Sequence, residues 1–501
     1  MWNQETLRDA INKRFADHQF VVVSNRQPYA HQFREGRVVL QRAVSGVVSG
    51  LEPVVKACRG LWVAHGDGTA DRSLTDERGI IEVPCENPQY RLKRVFLSKE
   101  EVAAYYHGLA NEALWPLCHV AFVRPTFRSE DMAVYREVNR RFAEAILSEI
   151  GDRRAFVWIQ DYHFALLPGY LKALRPDLVV GHFWHIPWPN PEIFRTCSWR
   201  EEILEGLLAN DLLGFHVRYH ADNFLATCDR EIDCRTNQDR TEVVRNHHRT
   251  RVQPFPISVD FEAISHDAEA PGVSRIAARF TRELRLDGMA VIGGLDRLDY
   301  TKGIPERLLA LSRFLDKYPE YRKRFVFVQV GAPSRSRIPR YKELSDEIHA
   351  LIEQINWKHS IDDWEPIAFI GRPLNYQEVL ALYRLADVCV VSSLHDGMNL
   401  VAKEYVAARN DLNGVLLLSQ FTGAARELHD AVLINPYDRE SFADAIKLAL
   451  DMDPDEKRAK LKAMREYLAE NNVFNWAGAF VAELAKLDGQ TYGKVSLQLS
   501  Q

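Results

Sequence analysis

Ala290-Val-Ile-Gly-Gly-Leu-Asp-Arg-Leu-Asp-Tyr-Thr-Lys-Gly303 decides the fold. Ala290–Gly294 is apolar or small on both faces, as a strand inside a parallel sheet must be. A polar loop carrying Arg297 and Lys302 follows, and Gly303 opens a helical pattern over Ile304–Lys317. A strand, a cationic loop and a helix start form a βα unit whose helix N-terminus can receive an anion. The same punctuation recurs in both directions. Downstream lie Phe325–Val330, Val388–Val391 and Val415–Leu418; upstream lie Phe20–Val23, Ala155–Ile159 and Leu178–Trp184. Helical patterns such as Asp131–Ile150 and Tyr341–Gln354 separate them. This alternation predicts an α/β protein of doubly wound, Rossmann-like sheets.

A chain of 501 residues, 46% hydrophobic and 27% charged, suits two globular domains. The polar, turn-rich run Ser265-His-Asp-Ala-Glu-Ala-Pro-Gly272 predicts a boundary giving domains 1–268 and 269–475. The last helical pattern, about Trp476–Leu487 within 476–501, is expected to cross back to the first domain. Two such domains facing each other leave a cleft at the carboxyl ends of their strands, where open α/β sheets bind ligands.

A net charge of −5 weighs against a nucleic-acid partner. The basic run Arg245-Asn-His-His-Arg-Thr-Arg251 reads as a solvated hairpin or loop rather than a metal or RNA site. Seven cysteines without a C-x-x-C pair suggest reduced thiols. No apolar run reaches the roughly 20 residues of a membrane span. The polar start Met1–Asp9 reads as an amphipathic helix rather than a signal peptide. A cytoplasmic protein acting on small molecules, with neither membrane nor nucleic-acid partner, is expected; a homo-oligomer stays open.

Chemistry-bearing residues cluster after strands. Arg26, in Ser24-Asn-Arg26, suits a phosphate held by two N–H groups, or a surface ion pair. Val44-Ser-Gly-Val-Val-Ser-Gly50 opens a helix on small residues, for close approach of a ligand or for packing. Asp161, in Trp158-Ile-Gln-Asp-Tyr-His163, suits sugar hydroxyls or an N-cap for a helix starting near Ala165. His185, in Phe183-Trp-His-Ile-Pro-Trp-Pro189, is presented rigidly. Arg297 and Lys302 suit a departing diphosphate. In Ser392-Ser-Leu-His-Asp-Gly-Met-Asn-Leu-Val-Ala-Lys-Glu404, the turn offers backbone N–H groups at a helix start. Glu404 there can take both hydroxyls of a ribose.

In this order the motifs resemble the trehalose-6-phosphate synthase family, glycosyltransferase family 20, from about Val21 to Trp476. The resemblance implies a GT-B fold, no essential metal or cofactor, and retention of the donor's anomeric configuration. It implies transfer of glucose from a nucleoside-diphosphate glucose, UDP-glucose foremost, to glucose 6-phosphate. Arg26, Tyr106, Trp115, Asp161 and Arg335 would then hold the acceptor. Ser45, Gly46, Arg297, Lys302, Met398, Asn399, Leu400, Val401 and Glu404 would hold the donor. His185, Arg297, Lys302 and Asp396 would act at the reacting centre.

The chain departs from the family pattern at Ser45-Gly46-Val47, His65 and His395. Arg26-Gln-Pro-Tyr29 and Ser198-Trp-Arg-Glu-Glu-Ile-Leu-Glu-Gly-Leu207 look like glucosylglycerol-phosphate synthase. Glycerol 3-phosphate therefore stays open as acceptor, as does a catalytically silent sugar-phosphate sensor on the same fold.

Overall fold

The computed structural model describes residues 3–14, 18–42 and 46–488. The chain divides into two compact units: residues up to Ile257 together with those from Val473 onward, and Ser258–Asn472. The strands of the first unit are β1 (Gln19–Arg26), β2 (Tyr29–Arg34), β3 (Arg37–Arg42), β4 (Leu61–His65), β5 (Ile80–Val83) and β6 (Tyr90–Val95). They continue with β7 (Ala155–Gln160), β8 (Val179–Phe183), β9 (Leu212–Phe215), β10 (Arg235–Thr236), β11 (Glu242–Arg245) and β12 (His248–Pro254). The second unit holds β13 (Ala290–Arg297), β14 (Phe325–Ala332), β15 (Ile367–Ile370), β16 (Val388–Val391), β17 (Val415–Ser419) and β18 (Val432–Ile434).

The first sheet runs β10-β11-β12-β9-β8-β7-β1-β4-β6-β5. It is parallel from β12 to β6 and antiparallel at both margins. Every residue of β7 is buried, which explains the apolar run Ala155–Ile159 within it. The second sheet, β15-β14-β13-β16-β17-β18, is parallel throughout. In each unit the carboxyl ends of the parallel strands therefore share one edge, and the residues after them meet there.

The helix Val473–Ala485 packs on the first sheet. Its Phe480 stacks on Trp158 with ring centroids 4.6 Å apart and planes at 8°. Gly181 and Gly214 lie beneath it, and a Cβ on either would stand 2.9 Å from Phe480. Gly50, in the helix Gly46–Ala57, would bring a Cβ within 2.7 Å of Trp476. Gly50 thus serves packing, while Gly46 starts its helix; Ser45 lies outside the described residues.

Three segments differ from what the sequence suggests. The run Ser265–Gly272 is not a linker: it ends the helix Phe261–Ala268 and begins the helix Pro271–Glu283. Asp260 caps the first of these through a bond from the Ala263 N–H at 3.1 Å, so the helix belongs to the second unit. The unit boundary falls at Ile257/Ser258, against the expected 268. Residues Tyr29–Arg42 form an antiparallel hairpin, β2–β3, with Tyr29 and His31 buried and its tip exposed, that no apolar alternation announces. Ala103–Leu114 winds as a π-helix, which no sequence pattern announces; this rare form is frequent at functional sites. The basic run at 245–251 is a hairpin, turning through Asn246 and His247 at φ 48° and 63°. Arg245 pairs with Glu205, and Arg251 with Glu242 and Glu483.

Candidate functional site

In the first unit, β1 ends at Arg26, which is exposed and has no side-chain partner among the described residues. The segment before it is tethered: Ser24 Oγ donates to the Arg26 carbonyl at 2.6 Å and accepts from Trp62 Nε1 at 2.8 Å. Beyond it, Gln27 is locked by Asp67 and Asp71 and by Arg94, whose guanidinium is fully buried against Asp71 at 3.1 Å.

The π-helix supplies Tyr106, stacked on His163 at 5.7 Å, and leads into Trp115, which lies against His119 and Tyr162. Asn111 ties this wall together. It donates to the Tyr106 carbonyl at 2.6 Å and accepts from the Tyr162 hydroxyl at 2.9 Å.

Asp161 follows β7 at φ 71° and ψ 173°. That region is all but reserved for glycine and costs about 1–3 kcal/mol for another residue. Its side chain does not cap the helical turn after it, as one reading of the sequence had it. The carboxylate instead accepts from the backbone N–H of His185 at 3.2 Å. The carbonyl of Asp161 accepts from Nε2 of buried His182 at 2.9 Å.

His185 Nε2 lies 2.9 Å from Oε1 of buried Gln160. Burial, with His182 beside it, pushes His185 down to about 3, and burial pushes His182 down to about 4 despite its carbonyl partner. Both rings are neutral near pH 7. Gln160 and His182 went unremarked in the sequence, since each reads as one more residue of an apolar strand.

In the second unit, β13 delivers Arg297 to the surface, where its side chain makes no hydrogen bond or close ion pair among the described residues. Asp299 then closes the turn, accepting from the Thr301 N–H at 3.1 Å and the Thr301 hydroxyl at 2.9 Å. Gly303 takes φ 62° and passes so close to the Ser392 carbonyl that a Cβ would stand 2.2 Å from it. This approach joins the two signature loops. Lys302 Nζ meets Asp396 Oδ2 at 2.5 Å, and Asp396 also accepts from Ser393 Oγ at 3.3 Å and Asn399 Nδ2 at 3.2 Å. Asn399, at φ 87°, caps the helix Leu400–Ala408 through the Ala402 N–H at 3.2 Å. Met398 is buried and anchored through its carbonyl to the Ala424 N–H at 2.8 Å; Leu400 and Val401 form the first turn of that helix.

Glu404, one turn on, is half-buried and accepts from the Tyr383 hydroxyl at 2.8 Å. Burial pushes it up to about 6, against the pull of that hydroxyl. Arg335 is not the isolated cation its sequence neighbours suggest. It pairs with buried Asp299 at 3.0 Å and touches the Tyr341 hydroxyl. Burial would raise Asp299, yet Arg335, Arg297 and Lys302 together hold it below the usual carboxylate range. The structure thus brings together Lys302, Asp396, Asn399 and the 398–401 turn in one unit. It brings together Asp161, His185 and the strand ends beside them in the other.

Two α/β units with largely parallel sheets, each presenting its polar residues after the strands, have the GT-B glycosyltransferase fold that the solved relatives share. The chain belongs to glycosyltransferase family 20, whose model matches residues 18–486. It is 38% identical to a trehalose-6-phosphate synthase of Mycobacterium marinum over 490 residues, 96% of this chain and 97% of that one. It is 39% identical to that of Mycobacterium tuberculosis over 482 residues, 95% and 96% of the two chains. Among solved structures, the E. coli trehalose-6-phosphate protein bound with UDP-2-fluoro glucose superposes with a TM-score of 0.84 at 30% identity, covering 93% of this chain and 99% of that one. A UDP-forming α,α-trehalose-phosphate synthase from Burkholderia xenovorans in complex with glucose-6-phosphate gives 0.82 at 28% identity, with 93% and 100% covered.

Proposed function

We propose that this chain transfers glucose from UDP-glucose to glucose 6-phosphate with retention, giving trehalose 6-phosphate and UDP. The observation that carries the reading is the joined pair of loops in the second unit. There the exposed Arg297, the Lys302–Asp396 pair and the N-terminus of the helix Leu400–Ala408 provide cationic and N–H groups, with Glu404 a turn away. The relatives with substrates named for them support the identity of donor and acceptor.

In this reading Arg297 and Lys302 neutralise the departing diphosphate. The turn Met398–Val401 binds donor phosphate and sugar through backbone N–H groups, Asp396 takes sugar hydroxyls, and Glu404 takes the ribose hydroxyls. Ser45 and Gly46 are assigned to the donor as well. His185, neutral, hydrogen-bonds the transferred sugar. Arg26, Tyr106, Trp115 and Asp161 hold the acceptor. Arg335 reaches the acceptor phosphate while Asp299 holds its guanidinium in place. No covalent nucleophile is assigned: the leaving phosphate takes the acceptor's proton on the face it departs from, and the protein contributes orientation and charge stabilisation. The chemical step needs no metal and no cofactor. All seven cysteines are unpaired thiols, and no described helix is long and apolar enough to cross a membrane. We place the reaction in the cytoplasm on that basis.

The test is an acceptor panel at fixed UDP-glucose. Glucose 6-phosphate is expected to exceed free glucose in kcat/KM by more than about a hundredfold, because guanidinium groups left facing no phosphate lose their binding energy. A preference for glycerol 3-phosphate would move the chain to the sister activity, and no turnover with any acceptor would leave the silent sensor.

A further inference from the structure

The backbone of Asp161 occupies a conformation that only glycine takes freely, and its surroundings hold it there. The Asp161 N–H donates to the Phe183 carbonyl at 2.7 Å. The Asp161 carbonyl receives Nε2–H of His182 at 2.9 Å, and the Asp161 carboxylate receives the His185 N–H at 3.2 Å. Both partners in the last two contacts lie on or just beyond β8, so the end of β7 is latched to its neighbouring strand from both sides of one residue.

His182 is wholly buried. A carbonyl can only accept, so the imidazole proton must sit on Nε2. Nδ1 is buried with no partner among the described residues, so nothing there would receive a second proton. The ring is thus a neutral, single-tautomer donor aimed at one carbonyl. A side chain that merely filled the core would not need this polarity, since burying a nitrogen without a partner carries a cost that an apolar ring avoids.

We propose that His182 is a positioning residue: its Nε2–H fixes the strained turn at Asp161, and through it the aim of the Asp161 carboxylate and of the His185 backbone. The proposal rests on the reading that Asp161 holds the acceptor. His182 touches no substrate; it acts through Asp161.

The test compares His182→Phe, which keeps the ring and removes the donor, with His182→Gln, which keeps an N–H donor, in the full chain. Acceptor KM is expected to rise about tenfold or more in His182→Phe, as for a group displaced by a fraction of an ångström. Donor KM should stay within about twofold, and His182→Gln should recover most of the loss. Asp161→Asn separates the two ideas. An unchanged acceptor KM in that variant overturns the acceptor role and the latch with it. A raised KM there, with a normal KM in His182→Phe, overturns the latch alone.

A stability cycle reads the latch without activity. Glycine takes the Asp161 conformation without strain, so the drop in thermal midpoint caused by His182→Phe should shrink in an Asp161→Gly background. Equal drops in both backgrounds contradict the proposal.

Discussion

Lys302 and Asp396 hold each other at 2.5 Å, so the lysine is neither spare nor free to wander before a donor arrives. In the proposed reaction an incoming diphosphate takes over part of that charge, and the effect of Lys302 then grows as negative charge develops on the leaving phosphate. Lys302→Ala is expected to lower kcat/KM for the donor by about 10²–10³-fold, the range seen for removal of one anion-stabilising group. Near-normal turnover, measured by UDP release, would remove Lys302 from the mechanism.

Glu404 gives a pH dependence with a definite sign. Burial raises it to about 6, so it is charged above that value and protonated below it. Only the carboxylate can accept from two ribose hydroxyls at once. Donor KM is therefore expected to rise as pH falls through about 6, and Glu404→Gln should raise it above that pH and flatten the profile. A donor KM that is flat from pH 7.5 to 5.5 in the wild type would contradict the ribose role.

At the scale of elements, the two loops of the second unit meet because Gly303 has no Cβ. Its left-handed φ of 62° and the 2.2 Å approach to the Ser392 carbonyl both exclude a side chain. Gly303→Ala is expected to cost on the order of 1–3 kcal/mol of stability and to part Lys302 from Asp396. A thermal midpoint and donor KM both unchanged would show that the junction is slack.

Sequence reading reaches this far because strands buried on both faces announce themselves, as Val388–Val391 and Ala155–Ile159 do, and the residues after them then fall at known edges. It fails where the deciding contact is distant or conformational. The Asp299–Arg335 pair spans 36 residues and has no local signature. The strain at Asp161 is a dihedral angle, and aspartate at a strand end reads as well as a helix cap. The π-helix at Ala103–Leu114 differs from an α-helix by closing its hydrogen bonds one residue further along, which a short apolar pattern does not resolve. The hairpin β2–β3 escapes because its buried described side chains are Tyr29 and His31, one of them polar, and its tip is exposed, so no run of apolar residues marks it.

At the scale of the molecule, the chain closes on its first unit: the helix Val473–Ala485 returns to cover β7, β8 and β9. It covers Trp158 with Phe480 and packs Trp476 edge-on against Phe183 at 5.2 Å. Ending the chain at Asn472 would bare these rings and the glycines beneath the helix. With each large side chain worth about 1.5–3 kcal/mol of burial, the loss approaches the whole stability of a domain. The truncated chain is expected to be insoluble or to lose the cooperative unfolding of its first unit. A truncated protein with the midpoint of the full chain would mean that the helix is dispensable.

The reaction is the sum of these parts, and its product records whether they act as described. NMR of the products from UDP-glucose labelled with ¹³C in the sugar, incubated with glucose 6-phosphate and no added metal, tests the account most directly. One labelled disaccharide phosphate with both anomeric carbons in α linkage, formed one for one with UDP, is expected. A β-linked labelled residue, or label recovered only as free glucose, would contradict it.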